Sequence, residues 1–262
     1  MDLTTIFSPL SIISGFVVGV LVGLTGVGGG SLMTPILILL FGAHSTTAVG
    51  TDLLYASVTK AAGSVAHGRK HNVDWSIMWR LTVGSLPGSI LTTAFMYRLG
   101  INGNTSSRLV TVTLGIALLL SAAAIIARPL IRRMIDRHAG AGRRRTSALT
   151  ILSGFVLGVL VTISSVGAGA LGMTLLVLLY PGVRLVRLVG TDVAHAVPLT
   201  LVAGLGHLLL GAVNWQLLVS LLLGSVPGIV LGSNLSARLP ERVLRPILAI
   251  ILVTVGIRML LR

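Results

Sequence analysis

Apolar residues along this chain gather into eight runs separated by short polar connections. In the first half they cover roughly 9–42, 48–66, 76–97 and 109–127, and in the second roughly 148–180, 188–211, 215–236 and 243–261. Most are close to the length of about 20 residues that a helix needs to cross the hydrocarbon core. The pattern predicts an all-α polytopic membrane protein. The first run of each half is longer. A single helix over 9–42 would measure about 50 Å against a core of about 30 Å. Glycines at 26, 28, 29 and 30 interrupt it, which predicts two short helices meeting at a glycine turn, with both ends on the same side.

The halves repeat one another. Ser14 to Leu32 reads SGFVVGVLVGLTGVGGGSL and Ser153 to Leu171 reads SGFVLGVLVTISSVGAGAL, identical at twelve of nineteen positions. Gly50-Thr51-Asp52 returns as Gly190-Thr191-Asp192, His67 as His207, Trp75 as Trp215, and Gly84-Ser85-Leu86-Pro87-Gly88 as Gly224-Ser225-Val226-Pro227-Gly228. Two hydrophobic halves with Gly-interrupted segments in corresponding places are the pattern of a secondary transporter. The reading is of one membrane domain: repeat 1–127, a basic cytoplasmic linker 128–147, and repeat 148–262. Each repeat holds a broken hairpin followed by three transmembrane helices.

Composition agrees. Charged residues make up 10% of the 262 and hydrophobic residues 54%, too few charges for a water-soluble domain of this size. The net charge of +14 comes from arginines at the ends of apolar runs, where orientation is encoded. Nucleic-acid binding is not expected. Cysteine is absent, which excludes disulfides and thiolate sites. No Lys or Arg lies between Met1 and Phe7, so the first run reads as retained rather than as a secretory signal. If each broken run folds back, the second half is inverted. That arrangement places 15 Lys and Arg inside and four (Arg98, Arg108, Arg258, Arg262) outside, with Lys60 within a span. A parallel arrangement gives 12 and 7, so the positive-inside rule favours two inverted repeats with both chain ends in the periplasm.

The stretch GLTGVGGGSLMTPIL, the GTDLL after it and their second-half echoes resemble the TauE/SafE family of sulfite exporters and related permeases, over essentially the whole chain. The resemblance implies transport of small sulfur-containing anions such as sulfite, sulfonates or sulfoacetate across the cell inner membrane. The second box departs from the doubled pattern: Ala168, Ala170 and Thr162 stand where the first has Gly29, Ser31 and Gly23. It is therefore expected to contact a ligand less closely, or only to hold the mirror-image fold.

The residues point to an anion independently. Glycine lets backbone amides approach a ligand through turns closed to other residues. A helix beginning after such a turn, near Ser31 and near Ala170, directs unpaired N–H groups and a partial positive charge at it. The candidate substrate contacts are Thr25, Gly26, Gly28, Gly29, Gly30, Ser31, Ser164, Ser165, Gly167 and Gly169, with Thr34 and Thr174 as further hydroxyl donors. The competing reading is close helix packing, which suits Gly15, Gly19 and Gly23 at four-residue spacing.

Asp52 and Asp192 are the acidic residues inside apolar runs, each preceded by a threonine, Thr51 or Thr191. They are read either as helix N-caps or as carboxyls whose protonation is coupled to anion movement. Lys60 has Thr200 as its counterpart. Its options are charge for the substrate path, pairing with Asp52, or snorkelling to the interface. His67 and His207, on opposite sides in the inverted arrangement, are gating candidates, and His195 one turn after Asp192 is a partner for it. Trp75 and Trp215 read as interface anchors, and Pro87 and Pro227 as hinges or packing kinks.

The function expected is alternating-access transport of a small anion, driven by an ion gradient or by the substrate's own gradient, with proton coupling as one option. No cofactor, metal site or enzymatic nucleophile–base pair is read. Partners are the anion, the bilayer and, as an option, further copies of the chain. The alternatives are a passive anion channel and a non-transporting membrane scaffold subunit.

Overall fold

A computed structural model describes residues 9–25, 30–69, 71–103, 108–135, 143–236 and 241–261, and all regular structure within them is helical. Ten helices follow one another: α1 Pro9–Thr25, α2 Gly30–Leu39, α3 Ser45–Arg69, α4 Trp75–Arg98, α5 Arg108–Ile135, α6 Arg143–Ser164, α7 Ala170–Leu179, α8 Leu185–Leu209, α9 Trp215–Ser236 and α10 Glu241–Leu260. Helices α1–α5 correspond in order to α6–α10. Four stretches among them, Arg108–Arg128, Arg145–Ser164, Leu185–Leu209 and Trp215–Gly232, are long and apolar enough to cross a bilayer. The outer face of α4 exposes Trp75, Trp79, Val83, Ile90, Leu91 and Phe95, a surface that only lipid tails solvate well. The chain is a multi-pass α-helical membrane protein.

Local chemistry sets the helix ends. Asp74 caps α4 by accepting the Ile77 amide at 3.3 Å, and Asn214 does the same at α9 for Leu217 at 3.0 Å. After α8, Gly211 turns the chain at φ 64; the corresponding position after α3 is His71, held at φ 53.

The expected linker 128–147 is shorter than the sequence suggested. Helix α5 runs on to Ile135 and α6 begins at Arg143, so helix consumes both of its ends.

The second broken run is a hairpin. Helix α7 has ten residues, about 15 Å of rise, half of what a crossing needs. Its C-terminal neighbour Tyr180 shares a 2.7 Å hydroxyl hydrogen bond with Thr150 near the start of α6, so α7 doubles back along α6. In the first half α2 also has ten residues, like α7, and the turn at 26–29 lies outside the described residues.

The two halves interlock. Helix α1 packs along α9 and α6 along α4, each pair parallel. Gly15 and Gly19 lie against the backbone of Leu221 and Ser225, while Gly154 and Gly158 lie against Leu81 and Ser85. Glycines on the partner helices answer them, Gly224 and Gly228 against Ile12 and Phe16, Gly84 and Gly88 against Ile151 and Phe155. Between these pairs α3 crosses α8 antiparallel, with Gly50 beside His207 and Gly190 beside His67. Helices α5 and α10 are also antiparallel, Gly115 meeting Leu260 and Gly256 meeting Leu119. Each contact recurs at positions about 140 residues on, which is pseudo-two-fold symmetry written in backbone contacts. Here the packing reading of Gly15 and Gly19 holds.

A Cβ at Gly84 would overlap the Ile151 carbonyl, whereas one at Gly68 meets nothing within 4 Å. Gly84→Ala is therefore expected to destabilise the protein by about 1–3 kcal/mol. Gly68→Ala is expected to be neutral or slightly stabilising, since alanine favours helix. Thermal unfolding of the two variants in detergent checks the contrast.

Candidate functional site

Among the described residues the buried charged side chains are Asp52, Lys60 and Asp192, all on the crossing helices α3 and α8 and close to the turn between α6 and α7. The turn spans 165–169 and needs three left-handed positions, Ser165 at φ 58, Gly167 at φ 122 and Gly169 at φ 137. Ser164 is consumed in holding it: its Oγ donates to the Leu160 carbonyl at 2.7 Å and accepts the Val166 amide at 3.2 Å. The Gly172 amide closes the turn on the Gly167 carbonyl at 2.9 Å.

Two cations reach this turn. Lys60, 7% exposed, donates from Nζ to the Ala168 carbonyl at 2.7 Å. Arg128, two turns before the end of α5, donates from Nη2 to the Ala170 carbonyl at 3.4 Å. Asp192 stands on the other side of α7, its Oδ1 against the Cα of Gly172 where any side chain would collide with it. Lys60 and Arg128 are the charges it faces. Asp52 accepts a short hydrogen bond from Thr34 of α2, and Lys60 is the cation nearest in its surroundings. Lys60 thus lies between two buried carboxylates and gives its hydrogen bond to the hairpin turn. Three polar atoms here are buried without a partner: Asp52 Oδ1, Asp192 Oδ1 and Ser165 Oγ.

Around this centre the threonines and histidines brace helices. Thr51 and Thr191 accept the amides of Asn214 and Asp74 at 2.9 and 2.8 Å, each fastening one half to the other. An ion pair of 3.2 Å between Arg187 and Asp74 reinforces the second of these. His195 shares a 2.9 Å hydrogen bond with Ser85, and its counterpart Tyr55 stands beside Ser225. His207 Nε2 bonds the Thr162 carbonyl at 2.8 Å, and Thr162 in turn donates to Ser89 at 2.8 Å. An apolar groove of about 700 Å³ between α4 and α8, lined by Ile90, Tyr97, Leu205 and Leu209, opens on the lipid-facing surface away from this centre.

Several expectations change. Asp52 and Asp192 do not cap helices. Helices α3 and α8 begin seven residues earlier, at Ser45 and Leu185, and both carboxylates are deep within them. Lys60 does not snorkel, because burial and the Ala168 carbonyl hold it inside. His195 turns to Ser85 rather than to Asp192, and Thr174 returns its hydroxyl to the Ala170 carbonyl of its own helix at 2.8 Å. His67 and His207 do sit at opposite ends of the α3–α8 crossing, but His207 is fully buried. Helices α4 and α9 run unbroken through Pro87 and Pro227. The second box, expected to be the weaker, is the one both cations reach. Of the first box, Gly26, Gly28 and Gly29 lie outside the described residues, as do the side chains of Thr25 and Ser31 and the surroundings of Gly30.

Arg128 was missed because it stands with the topogenic arginines at the end of an apolar run. A signal existed: the buried positions Leu114, Leu118, Ser121 and Ile125 of α5 advance by steps of three and four that continue to Arg128.

Comparison with known proteins agrees with this architecture. The profile of the sulfite exporter TauE/SafE family matches residues 11–259, so the chain belongs to that family. It is 37% identical to the probable membrane transporter protein YjnA of Bacillus subtilis (strain 168), over 95% of this chain and 98% of that one. It is 26% identical to the probable membrane transporter protein YdhB of the same organism, over 90% and 93%. With the probable membrane transporter protein MJ0441 of Methanocaldococcus jannaschii it shares 27% over 97% and 95%. No solved structure matches it.

Removing the charge of Lys60 leaves two buried carboxylates with one cation fewer near them. Lys60→Met is expected to cost about 3 kcal/mol, and adding Asp192→Asn to recover most of that loss. The temperature at which the detergent-solubilised protein loses monodispersity reports both. A single variant as stable as the wild type contradicts the assignment.

Proposed function

We propose that this member of the TauE/SafE family is a secondary membrane transporter that carries a small anion of sulfite or sulfonate type past the two hairpin turns by alternating access. The carrying observation is the α6–α7 turn, where Lys60 and Arg128 converge on the start of a helix. At that end the aligned peptide dipoles favour negative charge. In this arrangement backbone carbonyls of Ala168 and Ala170 occupy both cations. An oxyanion offers several oxygens at once and can take both places. The family description and the relatives' names support transport, and the cationic lining supports an anion. Glycine boxes contribute by letting the peptide groups come close.

The two repeats are inverted in this proposal. Antiparallel crossing of the corresponding helices α3 and α8 supports it, as does the arginine distribution. Interlocking also determines what can move. Because α1 packs on α9 and α6 on α4, neither repeat is a separate body. Rocking therefore occurs between mixed bundles, α1 with α9 and α4 with α6, about the α3–α8 crossing.

Single cysteines are informative in a chain that has none. His44 and Arg184 are exposed, equivalent positions just before α3 and α8. In intact cells an impermeant thiol reagent is expected to label His44→Cys, and to label Arg184→Cys only after permeabilisation. Labelling of both from one side excludes inversion.

Proteoliposomes supplied with sulfite, methanesulfonate, sulfate and succinate test the transport reading. Saturable uptake of at least one sulfur oxyanion with counterflow is expected, and Lys60→Gln is expected to lower it about tenfold or more. Saturable uptake without counterflow makes the protein a channel. The absence of any anion flux ends the reading.

A further inference from the structure

The two buried acids are equivalent in sequence but differ in their surroundings. Asp52 has a hydroxyl partner, because Thr34 donates to its Oδ2. The corresponding threonine of α7, Thr174, bonds its own helix at the Ala170 carbonyl. Asp192 Oδ1 is left buried and without a hydrogen-bond partner beside Gly172. Of the elements packed around Asp192, α3 contributes Lys60 and Asp52, α5 contributes Arg128, and α8 itself contributes His195, which is engaged with Ser85. Helix α7 presents the backbone of Gly172 to it.

Charge counting over this cluster is simple. With both acids ionised, Lys60 and Arg128 are balanced and the site is neutral. An anion entering it would add a net negative charge to a low-dielectric interior, which is costly. One proton on one acid removes that penalty. The acid with less hydrogen bonding to its carboxylate loses less by accepting it: Thr34 donates to Asp52, whereas Thr174 bonds its own helix and Asp192 Oδ1 stays without a donor.

We propose that Lys60 and Arg128 form the anion's cationic clamp, and that Asp192 is their internal counter-ion, protonated when the substrate is bound. The proton enters as the Asp192 carboxylate becomes a carboxylic acid, and the anion replaces the charge that carboxylate has given up. One proton and one singly charged anion then cross together with no net charge. This deepens the transport reading above and rests on it, since it specifies how the same site is energised.

The probe is methanesulfonate, whose charge does not change with pH in the working range. In proteoliposomes holding the full chain, an inward proton gradient is expected to drive its accumulation, approaching about tenfold for a tenfold proton ratio. A clamped membrane potential is expected to leave that accumulation unchanged. Asp192→Asn, a neutral isostere of the protonated acid, is expected to lose proton-driven accumulation and to make whatever methanesulfonate exchange it retains independent of pH. Arg128→Gln is expected to raise the half-saturation for exchange about tenfold or more. Proton-driven accumulation by Asp192→Asn, or an unchanged half-saturation in Arg128→Gln, overturns the proposal. Should Asp192→Asn fail to fold, the wild type decides: a methanesulfonate gradient must draw protons into vesicles loaded with a pH dye, and anion entry without protons sinks the inference. Anion flux uncoupled from protons removes only this proposal, whereas no flux of any anion removes the transport reading as well.

Discussion

A charge taken out of water inside a bilayer must find a fixed partner, and in this protein one lysine discharges that obligation for two acids. Lys60 belongs to the third helix of the first half, yet its hydrogen bond is to the turn of the second hairpin. The link is long in sequence and short in space. It ties the α3–α8 crossing to the α6–α7 turn, so the position of that turn and the ionic balance of the interior are one constraint. Helix α3 shows the consequence in its composition. It carries Asp52, Lys60 and His67 and is too polar to pass as a span by hydropathy alone, and it can be so because other helices, rather than lipid, surround it.

Glycine supplies the second constraint. Helices in lipid gain little from apolar contact as such, so close backbone approach is what holds them together. Here the close approaches join one half to the other: the first helix of each half lies in the glycine groove of the other's fourth. Such an arrangement cannot form until both halves are in the membrane. It also means that sequence repeats and mechanical units are different divisions of the molecule, a distinction invisible to any reading that treats each repeat as a body.

What was legible in the sequence followed from strong local signals. The repeat, the all-helical class and the broken runs came from glycine spacing and run length, which report backbone geometry directly. The positions of Asp52 and Asp192 were misread because the first turns of α3 and α8 are mixed in polarity, so the helix starts were placed too late. Thr51 and Thr191, read as candidate caps of their own helices, instead accept the amides of Asn214 and Asp74, just before α9 and α4, across the repeat boundary. No local pattern reveals a partner 163 or 117 residues away. Arg128 was hidden for a different reason: arginine at a span's end has an ordinary explanation in membrane insertion, and that explanation masked its place on the buried face.

The departures from symmetry have the greater functional meaning. Were the two halves identical, an inverted transporter would have inward and outward states of equal energy, related by the pseudo-two-fold. Here the backbone contacts keep the symmetry while the interior chemistry breaks it. Lys60 faces Thr200 across the axis, Tyr55 faces His195 in kind, and Thr34 serves an acid while Thr174 does not. Each substitution changes the electrostatics of one hairpin turn and leaves the helix packing intact. Lys60 and Arg128 meet at the α6–α7 turn, so in the proposed alternating-access cycle the opening that exposes this turn and the one that exposes its counterpart differ in free energy. A ligand that binds the cationic turn shifts the populations by its differential affinity for those states. In the proposed cycle, direction and loading of transport rest on a handful of side chains rather than on the helix packing.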